Sequence, residues 1–274
     1  MPRPFELICE IEPATRPDLR RVRHQIGVLS AVAGTFLIPD NHIGRATVSS
    51  IAVAHEVQAM GGRSIACLNS RDRNLLGLHR DLLTAAAYGV DQFLFVYGDK
   101  PSAGERTSQL TVRAMVDETR ARYPEFRVGV ATAPGRRLPS WKRTADFTFV
   151  QVCFDVDALL RWRDSSTVDG PVYAGVMVLA SPTMAHRLRG AIQDIDIPDA
   201  LVAAVEADRT AGVDAACAQV LALRDSGAFD GVHLVPVARY REVAARLERD
   251  LAVPAGPASP GQPASPAQPA IPTE

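Results

Sequence analysis

Three polar side chains sit at the ends of apolar runs that lie far apart in the chain. Glu10 stands at the end of Phe5-Glu6-Leu7-Ile8-Cys9-Glu10-Ile11, Asp99 follows Gln92–Gly98, and Gln151 follows Asp146–Val150. Two acids and an amide suit the edge of a planar nitrogen heterocycle better than a metal or a phosphate. A carboxyl flanked by Cys9 and Ile11 at a strand end is expected to be desolvated, which favours its neutral form and fits a proton donor. The alternative for Glu10 is a solvated strand-end carboxylate paired with Arg16.

Convergence of such residues depends on the elements that carry them. Apolar, strand-like runs fall at 5–11, 31–37, 63–68, 91–97, 126–131, 146–152, 171–178 and 230–236. Each is nearly continuous rather than alternating, as expected for parallel strands covered on both faces. Amphipathic segments such as Thr47–Met60, Leu75–Tyr88, Thr107–Tyr123 and Val213–Ser226 lie between them, with glycine stops at Gly61-Gly62, Gly89 and Gly227. Eight strands with helical crossovers predict an α/β chain closed as a (β/α)8, or TIM, barrel over residues 1–252. No glycine fingerprint follows the first strand, which leads into Glu12-Pro13-Ala14-Thr15 and argues against a Rossmann site. In the barrel, polar groups at the C-terminal strand ends share one mouth.

Two connections break the pattern. Thr132–Ala145, between the fifth and sixth strands, is too short and too proline-rich for a full crossover helix. Between the seventh and eighth strands about 50 residues are available, enough for an extra helix or two. Residues 253–274 are rich in Pro, Ala, Gln and Ser and are expected to form a passive, disordered tail.

Composition narrows the class further. The 274 residues carry a formal net charge of -1 and are 47% hydrophobic, so no global field recruits nucleic acid or an anionic membrane. Cys9, Cys67, Cys153 and Cys217 form no CxxC pair, which points to reduced thiols rather than a metal site or a disulfide framework. No apolar stretch approaches the ~20 residues of a membrane span and no signal-peptide core is present, so a cytoplasmic location is expected.

The ordered set Glu10-Ile11-Glu12-Pro13, Cys67-Leu68-Asn69-Ser70-Arg71-Asp72-Arg73-Asn74, Tyr97-Gly98-Asp99-Lys100-Pro101, Val128-Gly129-Val130-Ala131, Gln151-Val152-Cys153-Phe154-Asp155, Ala174-Gly175-Val176 and Ile197-Pro198 resembles the methylenetetrahydrofolate reductases. The resemblance covers about residues 5–250 and implies a (β/α)8 barrel that reduces 5,10-methylenetetrahydrofolate to 5-methyltetrahydrofolate with a nicotinamide donor. It places the proton donor at Glu10. The substrate's imidazolidine ring must open to an iminium cation before it accepts hydride, and opening needs a proton on the leaving nitrogen. Asp99 would accept the paired N–H donors of a 2-amino-4-oxopteridine and stabilise the cation. Gln151 would complete recognition as a paired amide in the barrel interior, and Phe154 would either stack on a ring or pack in the core.

The sequence departs from the family where flavin is usually held. Cys67 replaces a histidine before Leu68-Asn69-Ser70, Tyr97 replaces an arginine, and the segment after the fifth strand is compressed without a histidine. FAD is therefore expected to be absent, with NADH as co-substrate in its place over Cys67, Asn69, Ser70, Asp72 and Tyr97. Arg71, Arg73, Arg136 and Arg137 are available for phosphates or a glutamate tail, or as a solvated surface. Two alternatives stay open: an FAD-dependent reductase with altered contacts, and a non-catalytic folate-binding paralogue. The oligomeric state is open and a monomer is compatible with the sequence.

Overall fold

Eight parallel strands close on one another in chain order. They are β1 (Glu6–Glu10), β2 (Thr35–Ile38), β3 (Arg63–Asn69), β4 (Gln92–Val96), β5 (Arg127–Thr132), β6 (Phe147–Val150), β7 (Val172–Met177) and β8 (Gly231–Val235). The helices are α1 (Arg20–Leu29), α2 (Ser50–Ala59), α3 (Leu75–Ala87), α4 (Val112–Arg122), α5 (Ser140–Arg143), α6 (Val156–Ser165), α7 (Pro182–Ala191), α8 (Asp199–Ala207), α9 (Ala211–Ser226) and α10 (Tyr240–Ala252). This computed structural model describes residues 4–105, 107, 109–191 and 195–252. The tail at 253–274 lies outside the described residues.

Every strand is buried on both faces, which explains the continuous apolar runs. Outward residues such as Cys9, Phe36, Leu68, Phe95 and Leu234 pack with Val22, Ile26, Val57, Leu82 and Val220 of the helices. Inward residues Ile8, Leu37, Ile65, Cys67, Leu94, Phe147, Phe149 and Tyr173 fill the barrel. The Phe147 ring fits because Gly129 stands opposite it. A Cβ on Gly129 would sit 1.9 Å from the Phe147 ring.

The N-terminal mouth is sealed by polar groups. Thr35 Oγ1, Arg63 Nη2 and Tyr173 OH donate to the Glu6 carboxylate at 2.6, 2.8 and 2.8 Å. Burial pushes the Glu6 pKa up, but these three donors and the charge of Arg63 outweigh it and hold the carboxyl below its ordinary value. Tyr173 is driven well above the ordinary phenol range by burial first, then by Glu6.

One departure from expectation has a local cause, and the two irregular connections follow the sequence reading. β2 begins at Thr35 rather than residue 31, because Val32 and Ala33 donate to Leu29 O at 3.0 Å and prolong the turn after α1. The compressed β5–β6 connection holds only the single turn α5. The β7–β8 connection holds three helices, two more than a crossover needs, and α7 and α8 build a satellite core around Leu179, Ala185, Ile197 and Val205. No helix among the described residues is long and apolar enough to cross a membrane.

Since Phe147 is 1% exposed and wedged among its neighbours, it has no room to yield to a larger residue at position 129. Gly129→Ala is expected to destabilise the fold by about 1–3 kcal/mol through overpacking. The measurement is a lower denaturant midpoint at unchanged slope.

Candidate functional site

Ile8 faces the barrel interior, so strand alternation turns Glu10 inward as well, at the C-terminal end of β1. The seam with β8 sets Ile8 opposite His233. There His233 Nε2 lies 3.2 Å from Glu10 Oε2, with the side chains 11% and 15% exposed. Nε2 is within ion-pair distance but off the hydrogen-bonding direction, so it stays buried without a hydrogen-bond partner. The Phe149 ring meets the imidazole edge-on, with centroids 5.3 Å apart. Glu10 thus pairs with His233, not with Arg16. Sequence reasoning passed over His233; the available signal was one polar residue in the apolar run Gly231-Val232-His233-Leu234-Val235.

The buried Cys67 lies near enough to the Glu10 carboxyl to feel its charge. Burial first, then the charges of Glu10 and Asp40, push its thiol well above the ordinary range and keep it neutral. A lone lysine in the compressed segment, also passed over, reaches this end of the barrel. Lys142 Nζ donates to the carbonyl of Ala131 at the end of β5, and burial lowers its pKa.

Asp99 and Gln151 lie on the same face of the barrel, just beyond the ends of β4 and β6. Gly98 makes the turn out of β4 at φ 91°, passing so near Asn69 that a Cβ would sit 2.7 Å from its side chain. Asp99 is exposed, and its Oδ2 accepts the Ile43 backbone N–H at 2.9 Å. Gln151 was expected as a paired amide in the barrel interior. It is instead exposed at the rim, one residue past β6, with Oε1 accepting the Val152 N–H at 3.0 Å. Phe154 is drawn elsewhere. It packs on the α7–α8 satellite core and lines an apolar cavity of about 300 Å³ with Met177, Leu201 and Gln219. Asp155 caps α6 by accepting the Ala158 N–H at 3.1 Å.

The residues expected to contact a cofactor divide in two. Asn69, 1% exposed, donates to Asp40 and Asp72 at 2.7 and 3.0 Å and accepts the N–H groups of Arg71 and Asp72. Ser70 is fully buried, its N–H on the carbonyl of Val96 and its hydroxyl toward that of Tyr97. Arg73 bridges Asp40 and Asp81 in the same brace, and Asp72 also accepts from Asn41. Burial works against the Arg73 charge, yet the two carboxylates raise its pKa. Cys67, Asn69 and Ser70 are therefore enclosed, whereas Asp72 and Tyr97 are exposed. The Arg71 guanidinium lies 4.4 Å over the Tyr97 ring. Among the described residues no group of three or more His, Cys, Asp or Glu is arranged to hold a metal ion.

The chain matches the methylenetetrahydrofolate reductase family over residues 13–249. No curated protein matches it. Among solved structures, it is similar to an uncharacterized protein from Clostridium thermocellum that binds two copies of 5-methyl-5,6,7,8-tetrahydrofolic acid. That similarity has a TM-score of 0.65 at 13% identity and covers 91% of this chain and 95% of that one. It is also similar to the Bacillus cereus spore cortex-lytic enzyme SleL, with a TM-score of 0.54 at 11% identity over 89% and 74% of the two chains. At such identities both likenesses speak to the barrel alone. The family match spans most of the chain, beginning just after β1, and the chain belongs to the methylenetetrahydrofolate reductase family.

Proposed function

We propose that this chain reduces 5,10-methylenetetrahydrofolate to 5-methyltetrahydrofolate by direct hydride transfer from NADH. The observation that carries the mechanism is the buried Glu10–His233 pair at the barrel mouth. A carboxyl at the barrel mouth within 3.2 Å of an imidazole is placed to pass a proton to a ring bound there. Glu10 protonates the leaving nitrogen, the five-membered ring opens to an iminium cation, and hydride from the dihydronicotinamide reduces the methylene carbon. One proton and one hydride are consumed, and NAD⁺ leaves. His233, 3.2 Å from the carboxyl oxygen, returns its proton between turnovers.

Asp99 accepts the pterin's 2-amino and N3 donors, sharing Oδ2 with the Ile43 amide, and its charge favours the iminium. Gln151 at the rim offers an amide to the remaining pterin edge. Phe154, absorbed into the satellite core, has no part in ring stacking here. For the dinucleotide, the Arg71–Tyr97 shelf offers an aromatic face, with Asp72 beside it and Asn69 and Ser70 bracing it from behind, while Cys67 faces the barrel interior.

The residues present do not fit a tightly held flavin. Asn69 and Ser70 are bound up internally, and the β5–β6 connection is reduced to one helical turn. No step is therefore routed through FAD. A cytoplasmic location accords with this chemistry. A second reading, folate binding without reduction, is favoured by the two folate molecules that the Clostridium protein binds.

Purified protein is expected to be colourless and to oxidise NADH only when methylenetetrahydrofolate is present. Initial-rate plots should intersect, as for a ternary complex. Flavin absorption with parallel plots would restore the relay mechanism, and absence of NADH oxidation would favour the binding protein. Glu10→Gln should lower turnover about 10²–10⁴-fold with little change in folate affinity. His233→Asn should give a smaller loss in the same direction, and wild-type turnover in both variants would remove the pair from the mechanism.

A further inference from the structure

Three of the described residues other than glycine adopt a positive φ: Asn41 at 47°, Ile43 at 57° and Val237 at 52°. All lie in the loops that follow β2 and β8, the two strands flanking β1 and its Glu10. For a β-branched residue this region is a genuine outlier, because Cβ crowds the carbonyl. Such strain persists only where surrounding contacts impose it, and it gathers at ligand sites.

At Ile43 the imposing contacts are visible. Its N–H is held by Asp99 Oδ2 at 2.9 Å. One residue on, the Gly44 carbonyl accepts the Ser102 N–H at 2.8 Å. Gly44 itself lies so near the β4 loop that a Cβ would sit 1.9 Å from the Lys100 carbonyl oxygen. On the other side, Asn41 Nδ2 donates to Asp72 at 3.0 Å. The loop is thus clamped to its neighbours around Ile43, yet the Ile43 residue is 61% exposed. Core packing does not account for isoleucine at this position. Glycine or asparagine would adopt the same backbone with less strain.

We propose that Ile43 is a specificity-determining contact for the ring system bound at Asp99, an inference that rests on the assignment of Asp99 to the pterin edge. The Ile43 amide touches the carboxylate, so standard backbone dimensions place its side chain within roughly 6 Å of it. A bicyclic ring gripped by Asp99 lies within reach of that side chain and buries apolar surface against it. The amide also fixes one carboxylate oxygen, so the remaining acceptor directions are set before the ring arrives. The strain is retained because the side chain works on the ligand.

The test sets affinity against stability in the full chain, with 5-methyltetrahydrofolate as probe. Ile43→Gly and Ile43→Asn should bind it roughly 3- to 30-fold more weakly, from the lost apolar contact. Their thermal midpoints should be equal to or above wild type, since the strain is relieved. Ile43→Leu should keep most of the affinity. A residue serving only the loop would not lose affinity while keeping stability. Wild-type affinity in both the Gly and Asn variants overturns the proposal while leaving the folate site standing. Failure of the wild-type protein to bind the probe overturns the folate assignment and this proposal with it.

Discussion

The register at the seam between β1 and β8 is the constraint on which the mouth depends. Leu7 faces Val232 and Ile8 faces His233 across that ladder. Side chains alternate with a period of two, so a slip of one residue would turn Glu10 into the helix layer and bring Cys9 inside. The seam closes tightly because residue 231 has no side chain; a Cβ there would lie 2.1 Å from the Glu6 carbonyl oxygen. Barrel closure, residues apart by most of the chain, and the acid–imidazole pair are therefore one event.

A second constraint is the brace at the ends of β2 and β3. Asp40, Asn69, Asp72, Arg73 and Asp81 saturate one another in a partly dry layer. Removing Arg73 would strand the buried charge of Asp40, which is far costlier than the net worth of the pair. The brace fixes Asn69, Gly98 packs directly on Asn69, and Tyr97 and Asp99 flank that glycine. Residues that resemble ligand contacts in the sequence thus orient the side chains that do face solvent.

The barrel was legible because parallel strands buried on both faces leave continuous apolar runs. Only β2 was misjudged at its start, where Ala31 to Ala33 are apolar but small and stay in the turn after α1. Glu10 was legible as a polar residue ending an apolar run. His233 was not, since its significance arises from a partner 223 positions away that only closure supplies. The sequence names donors and acceptors but not whether they are already engaged, so Asn69 and Ser70 read as open groups. Phe154 was linked to Gln151 by proximity in the chain, but the α7–α8 insertion drew it into the satellite core. The handedness of the Ile43 backbone leaves no trace in residue type, because isoleucine is among the least expected residues there.

The Glu6 carboxylate, tied to Thr35, Arg63 and Tyr173, closes the N-terminal mouth beneath a barrel interior packed with Ile8, Leu37, Ile65 and Phe147. Traffic therefore has a single rim. For the proposed reaction, a ligand seated deepest against Glu10 would leave only after the one above it had moved aside, so the depth of each would set the order of entry and departure.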